Sequence, residues 1–162
     1  MSKKIDLKSL SSVVGTLYPP PFDEPCLSRE RTKLGDAANL TQFGINLLRL
    51  PPGAWSSQRH WHTESDEFVY VLSGEIILLT DDGPETLRAG DAAGFKAGDT
   101  NGHCLQNHSL ADATILEIGT RIASDVGYYC DIDLFAPAGG KTPYAHKDGT
   151  PYTNVQRRSK KV

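Results

Sequence analysis

His60, His62, Glu67 and His103 are the side chains of this sequence whose types and spacing could do chemistry. His60 and His62 stand at i and i+2. In a β-strand, side chains two apart leave the same face, so both imidazoles can enter one cavity. Glu67 follows His62 by five residues and His103 follows it by 41. Three imidazoles and one carboxylate suit a divalent transition metal, with bonds of roughly 2.0–2.2 Å. Such a set leaves a net charge of about +1 on the centre and up to about two open octahedral positions. It attracts an anionic oxygen ligand, a carboxylate, enediolate or phosphate ester, and can polarise a carbonyl or acidify a bound water. An aldose–ketose isomerase needs this, because the metal would stabilise the enediolate. Iron in the same place would instead activate O2, as in a dioxygenase. Zn, Mn, Fe, Ni and Co all remain open, since the affinity order of divalent ions is largely independent of the site.

The parity between His62 and Glu67 changes, so Thr63 to Asp66 must turn the chain, and Glu67 then opens the return strand facing the same cavity. Glu64 and Asp66, the rival carboxylates, read as solvated turn residues, and His108 and His146 lie in loops. A general base is not evident. Ser56 and Gln58 share the inward parity of His60 but are weak bases, and Tyr70 faces away from Glu67. Lys96 and Arg121 could hold an anionic substrate, or could snorkel as ordinary surface cations. No phosphate-cradling glycine loop is present. No Ser/His/Asp arrangement can be argued once the metal takes three histidines.

The elements that must position these residues are strands. Short apolar runs cover 41–50, 58–62, 67–72, 75–80, 85–88, 92–96, 103–107 and 114–121, with Asp81-Asp82-Gly83 as a hairpin signal. Turns every eight to twelve residues or so are the spacing of an all-β barrel or sandwich. Residues 1–40 read as an N-terminal arm packed on the barrel or on a partner, 41–122 as the barrel core, and 123–162 as a further strand and an irregular tail. Tyr18-Pro19-Pro20-Pro21-Phe22 should be extended, since each proline pushes its predecessor out of the α region. The basic stretch 157–161 reads as a solvated tail.

At 162 residues the chain favours one domain. A formal charge of −3, from 17 basic and 20 acidic residues, points to neither nucleic acid nor a membrane surface. No helix-turn-helix pattern supports a DNA-binding role. Met1 to Pro19 holds no apolar run long enough for a signal peptide, and no stretch approaches the roughly 18 apolar residues of a membrane span. Cys26, Cys104 and Cys130 are odd in number and scattered, so a reducing cytoplasm is the expected location.

The run from Gly53 through His60-Trp61-His62 and Glu67 to Gly74 resembles the first motif of the cupin superfamily, and Gly90 to Gly98, His103 and Asn107 resemble the second. Two spacings and one residue depart from the pattern. Six residues separate Gly53 from His60, Lys96 stands in place of a proline, and four residues separate Gly98 from His103. Leu34 to Ala37, Leu40 to Gly44, Arg59 to His62, Asp99 to His103 and Lys147 to Tyr152 extend the similarity to a bacterial subgroup labelled sugar-phosphate isomerase-like or mannose-6-phosphate isomerase-like. The resemblance implies a double-stranded β-helix (jelly-roll) barrel, the metal ligands His60, His62, Glu67 and His103, and a homodimer. Since a fold label is a weak warrant for a reaction, two classes of function stand. One is a metal-dependent enzyme on a small polar substrate, with a sugar phosphate as the expected class. The other is a non-enzymatic module binding a small carboxylate or sugar. A dioxygenase or decarboxylase is a weaker third.

Overall fold

The computed structural model describes residues 3–160. Among them the strands are β1 (Val13–Val14), β2 (Glu30–Lys33), β3 (Phe43–Leu50), β4 (His60–His62), β5 (Glu67–Ser73), β6 (Glu75–Thr80), β7 (Gly83–Arg88), β8 (Ala92–Phe95), β9 (Cys104–Gln106), β10 (Ala113–Thr120), β11 (Gly127–Tyr129) and β12 (Phe135–Ala136). One short helical turn, α1 (Leu34–Ala37), follows β2. A six-stranded sheet runs β1-β2-β3-β10-β5-β8, and two three-stranded sheets run β12-β11-β4 and β7-β6-β9. Every strand pairing is antiparallel, and the whole is a β-barrel. Asp81 and Asp82 turn the β6–β7 hairpin, with Gly83 at φ 102°, where only glycine sits without strain.

Register sorts the interior of the large sheet into layers. Ile115 of β10 lies between Leu48 and Val71, and all three are fully buried. The next inward row is Asn46, Glu117 and Val69, and the one after it is Gly44, Gly119 and Glu67. The barrel is therefore apolar at one end, polar midway, and stripped of side chains around Glu67 at the other. A Cβ at Gly119 would lie 3.6 Å from Glu67 Cγ, so the two glycines keep that end open.

The alternating outward positions of the same strands form rows of their own, Leu47, Leu116 and Tyr70 in one and Ile45, Ile118 and Phe68 in the next. Phe43, Phe68, Tyr70 and Leu72 are 36–46% exposed on this face.

Segments near both ends of the described chain pack against the body. Tyr18 and Cys26 join Tyr129 and Leu134 in a second buried cluster, with Phe22, Tyr144 and Tyr152 against it. The proline run turns rather than extends: Phe22 N–H donates to Pro19 O at 3.0 Å across a cis Pro20–Pro21 bond. Proline geometry restricts each φ but leaves the chain free to fold back at a turn. The basic stretch is not simply solvated either. Arg158 pairs with Thr16 in a bridge, donates to Tyr18 O at 3.2 Å and lies 3.7 Å from the Asp23 carboxylate, which straps the tail to the arm. Lys161 lies outside the described residues. All three cysteines are free.

Candidate metal centre

His60 and His62 lie on β4, and both rings point toward Glu67 at the start of β5. His103 sits opposite His60 in a reciprocal backbone pair, His60 N–H to His103 O at 3.1 Å and His103 N–H to His60 O at 2.9 Å. That pairing sets the two imidazole centroids 4.7 Å apart. All three Nε2 atoms converge on one carboxylate oxygen, Glu67 Oε2, at 3.5 Å from His60, 3.6 Å from His62 and 3.0 Å from His103. His60, His62 and Glu67 offer ligand atoms that all lie within 4.8 Å of one another, a group that could hold a metal ion. His103 falls outside that mutual group, although it is the imidazole nearest Glu67.

The far nitrogens of His60 and His62 are each fixed by a partner, whereas the buried His103 Nδ1 has none. His60 Nδ1 faces Gln58 O at 2.9 Å, and His62 Nδ1 faces Asp125 Oδ2 at 2.6 Å. An acceptor opposite Nδ1 holds the proton there and leaves the Nε2 lone pair directed inward. Asp125 is itself anchored: its Oδ1 accepts from Glu64 N–H at 2.8 Å and Ser65 N–H at 3.2 Å. Burial would raise the Asp125 carboxyl, but the Glu64 N–H and the His62 ring outweigh it and hold it low. The His103 ring stacks flat on Phe95 with centroids 3.5 Å apart.

The electrostatics fit a cation. Glu67 Oε2 is buried and has no hydrogen-bond partner. Burial alone would raise its carboxyl. The neighbouring His103, His60 and His62 rings overcome that and hold it well below the usual carboxylate range. Burial, with His60 and His62 close by, pushes the His103 imidazole down against the pull of Glu67, which favours the neutral form that can ligate. An unpartnered carboxylate oxygen facing nitrogen lone pairs is a donor set for a divalent ion.

A cavity of about 460 Å³ opens from His60, Glu67 and His103 and is lined by four cations, Arg29, Arg31, Lys33 and Arg121, against three carboxylates, Asp36, Glu67 and Glu117. Arg31 holds Glu117 with two hydrogen bonds, at 2.7 and 2.9 Å. Asn46, Ser56 and Ser57 add polar groups to the wall, and Tyr18 and Tyr144 add phenols. Burial pushes both phenols up, so they are neutral hydroxyls.

The remaining candidates are elsewhere. Glu64 accepts from Ser124 Oγ at 2.6 Å and Asp66 from Ala97 N–H at 2.8 Å, and both are exposed turn residues. His108 and His146 bond to Gln106 and Asp133, away from the centre. Ser56 lines the cavity, whereas Gln58 is turned away and donates to Phe22 O at 2.7 Å. Arg121 lines the main cavity, and Lys96 lines a second one on the other side of His62 and Glu67. Asp125, Glu117 and Lys33 went unnoticed in the sequence because nothing local marks them.

Comparison with known proteins places these features in a family. The Cupin domain family matches residues 46–119. The crystal structure of a cupin-superfamily sugar phosphate isomerase from Silicibacter pomeroyi is 42% identical, with a TM-score of 0.88 over 94% of this chain and 99% of that one. A candidate sugar phosphate isomerase from Acidithiobacillus ferrooxidans is 28% identical, with a TM-score of 0.70 over 78% of this chain and 81% of that one. A polyketide cyclase from Streptomyces resistomycificus shares the fold alone, at 18% identity and a TM-score of 0.59 over 74% of this chain and 80% of that one. No protein of curated function matches the chain. No helix among the described residues is long and apolar enough to cross a membrane.

Proposed function

Because the chain belongs to the cupin superfamily, we propose that it is a metal-dependent isomerase of a small sugar phosphate, with one divalent ion held by His60, His62, Glu67 and His103. The observation that carries this reading is the convergence of three imidazole Nε2 atoms on the unpartnered Glu67 Oε2 at the floor of a cationic cavity. When bound, the ion supplies Lewis-acid charge to a carbonyl oxygen. The chain's own residues do the rest. Asn46, Ser56 and Ser57 meet the sugar hydroxyls. Glu117 faces the cavity, takes the proton from C2 and returns it to C1 of the same sugar, and Arg31 fixes its orientation. The two similar proteins named for sugar phosphate isomerisation support the substrate class.

The test is proton exchange in D2O, followed by NMR, on metal-loaded protein given hexose 6-phosphates. Deuterium should enter at C2 only when metal is present. Glu117→Gln should slow the exchange by roughly 10²–10⁴-fold while metal content stays unchanged. Bound metal with no exchange, while the same sugar phosphate raises the melting temperature, would select the binding module. Iron-dependent O2 uptake would select the oxygenase.

The carboxylate behind His62 has its own expected effect. Asp125→Ala removes the acceptor that orients the ring and should weaken metal binding by roughly 10–100-fold without abolishing it. Competition against a chromophoric chelator measures this, and an unchanged affinity would show that Asp125 only braces the loop.

The apolar outer face supports a homodimer. Its two rows carry no charged side chain, and Arg49 at its border is neutralised by Glu30 at 3.1 Å and Asp112 at 2.8 Å. A face without net charge can meet a copy of itself about a two-fold axis, and monomers rarely leave so contiguous an apolar patch to water.

A further inference from the structure

Arg121 follows β10, and Lys33 ends β2. Arg121 and Lys33 lie at the mouth of the cavity whose floor is the histidine group, and both turn to one carboxylate, Asp36. Arg121 bonds to Asp36 Oδ1, and Lys33 Nζ lies 3.6 Å from Oδ2. Arg121 also donates to Leu40 O at 3.0 Å, and a Cβ at Gly44 would lie 3.5 Å from its Nε. The guanidinium therefore lies over Gly44, at the end of the row that runs through Gly119 to Glu67. Two inter-strand steps separate Gly44 from Glu67, roughly 10 Å along the sheet. That is about the length of a small phosphorylated sugar.

The ion pairs with Asp36 do not explain why two cations gather there. Lys33, Asp36 and Arg121 are 41–58% exposed, and exposed pairs contribute little to a fold. Their position does fit a ligand, because two cations sharing one carboxylate keep a net positive charge and directed N–H groups at the cavity mouth. We propose that Lys33 and Arg121 form the subsite for the phosphate monoester of the substrate, whose carbonyl end lies at the histidine group, and that Asp36 holds the two cations in place until the phosphate arrives. This rests on the sugar phosphate reading above.

Calorimetry on the metal-loaded full chain tests it with three probes: fructose 6-phosphate, fructose and inorganic phosphate. The phosphorylated sugar should bind at least about tenfold tighter than fructose, since charge-assisted bonds to a dianion are at stake. In Lys33→Gln/Arg121→Gln that ratio should fall to about one, while mass spectrometry still finds the unaltered metal content. The single variant Lys33→Gln, whose side chain bonds only to Asp36, guards against a loosened 34–42 segment and should lose part of the preference. Inorganic phosphate makes the test independent of the sugar. It should shift the Arg121 Nε–H resonance in metal-loaded and metal-free protein alike, and the double variant should show weaker phosphate binding. A preference that survives the double variant, or an Arg121 resonance that ignores phosphate, would overturn the subsite. Failure of both sugars to bind while phosphate still engages Arg121 would overturn the sugar reading and leave the subsite standing.

Discussion

A chain carrying His60→Ala and His62→Ala should retain less than about a tenth of the metal bound by the unaltered protein, because two imidazoles of a four-ligand set cannot be replaced by water without losing most of the affinity. Both side chains are held at their far nitrogens and share one target, Glu67 Oε2. The stability consequence is as large. A metal present at about a thousand times its Kd stabilises the folded state by about 4 kcal/mol. In a chain of this length that is a rise of roughly 8–16 °C in melting temperature. The unaltered chain should show this rise on adding Zn2+ or Mn2+, and the double variant should not. Differential scanning calorimetry with and without chelator reads both. An equal rise in the two proteins would place the metal elsewhere.

Phe68→Asp together with Leu72→Asp should convert a dimer into a monomer. Both side chains are exposed on the outer face of the large sheet, 41% and 46% respectively. A homodimer through that face would desolvate two carboxylates per protomer against apolar rows, which costs several kcal/mol without a partner charge. Light scattering should therefore report about twice 17.6 kDa for the unaltered chain and 17.6 kDa for the variant. Because the substituted positions face away from the core, melting of the metal-loaded protein should change little. A monomeric unaltered chain would remove the face from consideration.

The parts of this architecture that were legible in the sequence are those written in local periodicity. The i, i+2 spacing put His60 and His62 on one face, and the parity change to Glu67 required the turn that the chain makes at 63–66. Turn residues bracketed the strands to within a few positions, so that β3, read from residue 41, begins at Phe43. What escaped notice depends on contacts between distant segments. Asp125, 63 residues after His62, reaches it because β11 pairs with β4, a partnership that so short a strand does not announce. Glu117 lies in an ordinary-looking strand. Only the register with Asn46 and Val69 turns it into the cavity, and only Arg31, from the stretch taken for an arm, gives it a partner. The openness around Glu67 comes from Gly44 and Gly119, whose alignment across two strands is a property of the sheet rather than of either segment. The proline run misled for a related reason: restricted φ values describe each residue, but the Phe22 to Pro19 hydrogen bond is set by the packing of Tyr18 and Phe22 into the second cluster.

X-ray absorption on the metal-loaded, untagged protein counts the groups around the ion. With His60, His62, His103 and Glu67 holding it, the spectrum should show about one metal per chain, a shell of nitrogen and oxygen at roughly 2.0–2.2 Å, and the multiple-scattering signature of three imidazoles. One imidazole fewer in His103→Ala would complete the assignment, which matters because His103 stands outside the tightest ligand group. A bound metal without imidazole scattering, or a chain that takes up no metal from any of the candidate ions, would contradict it.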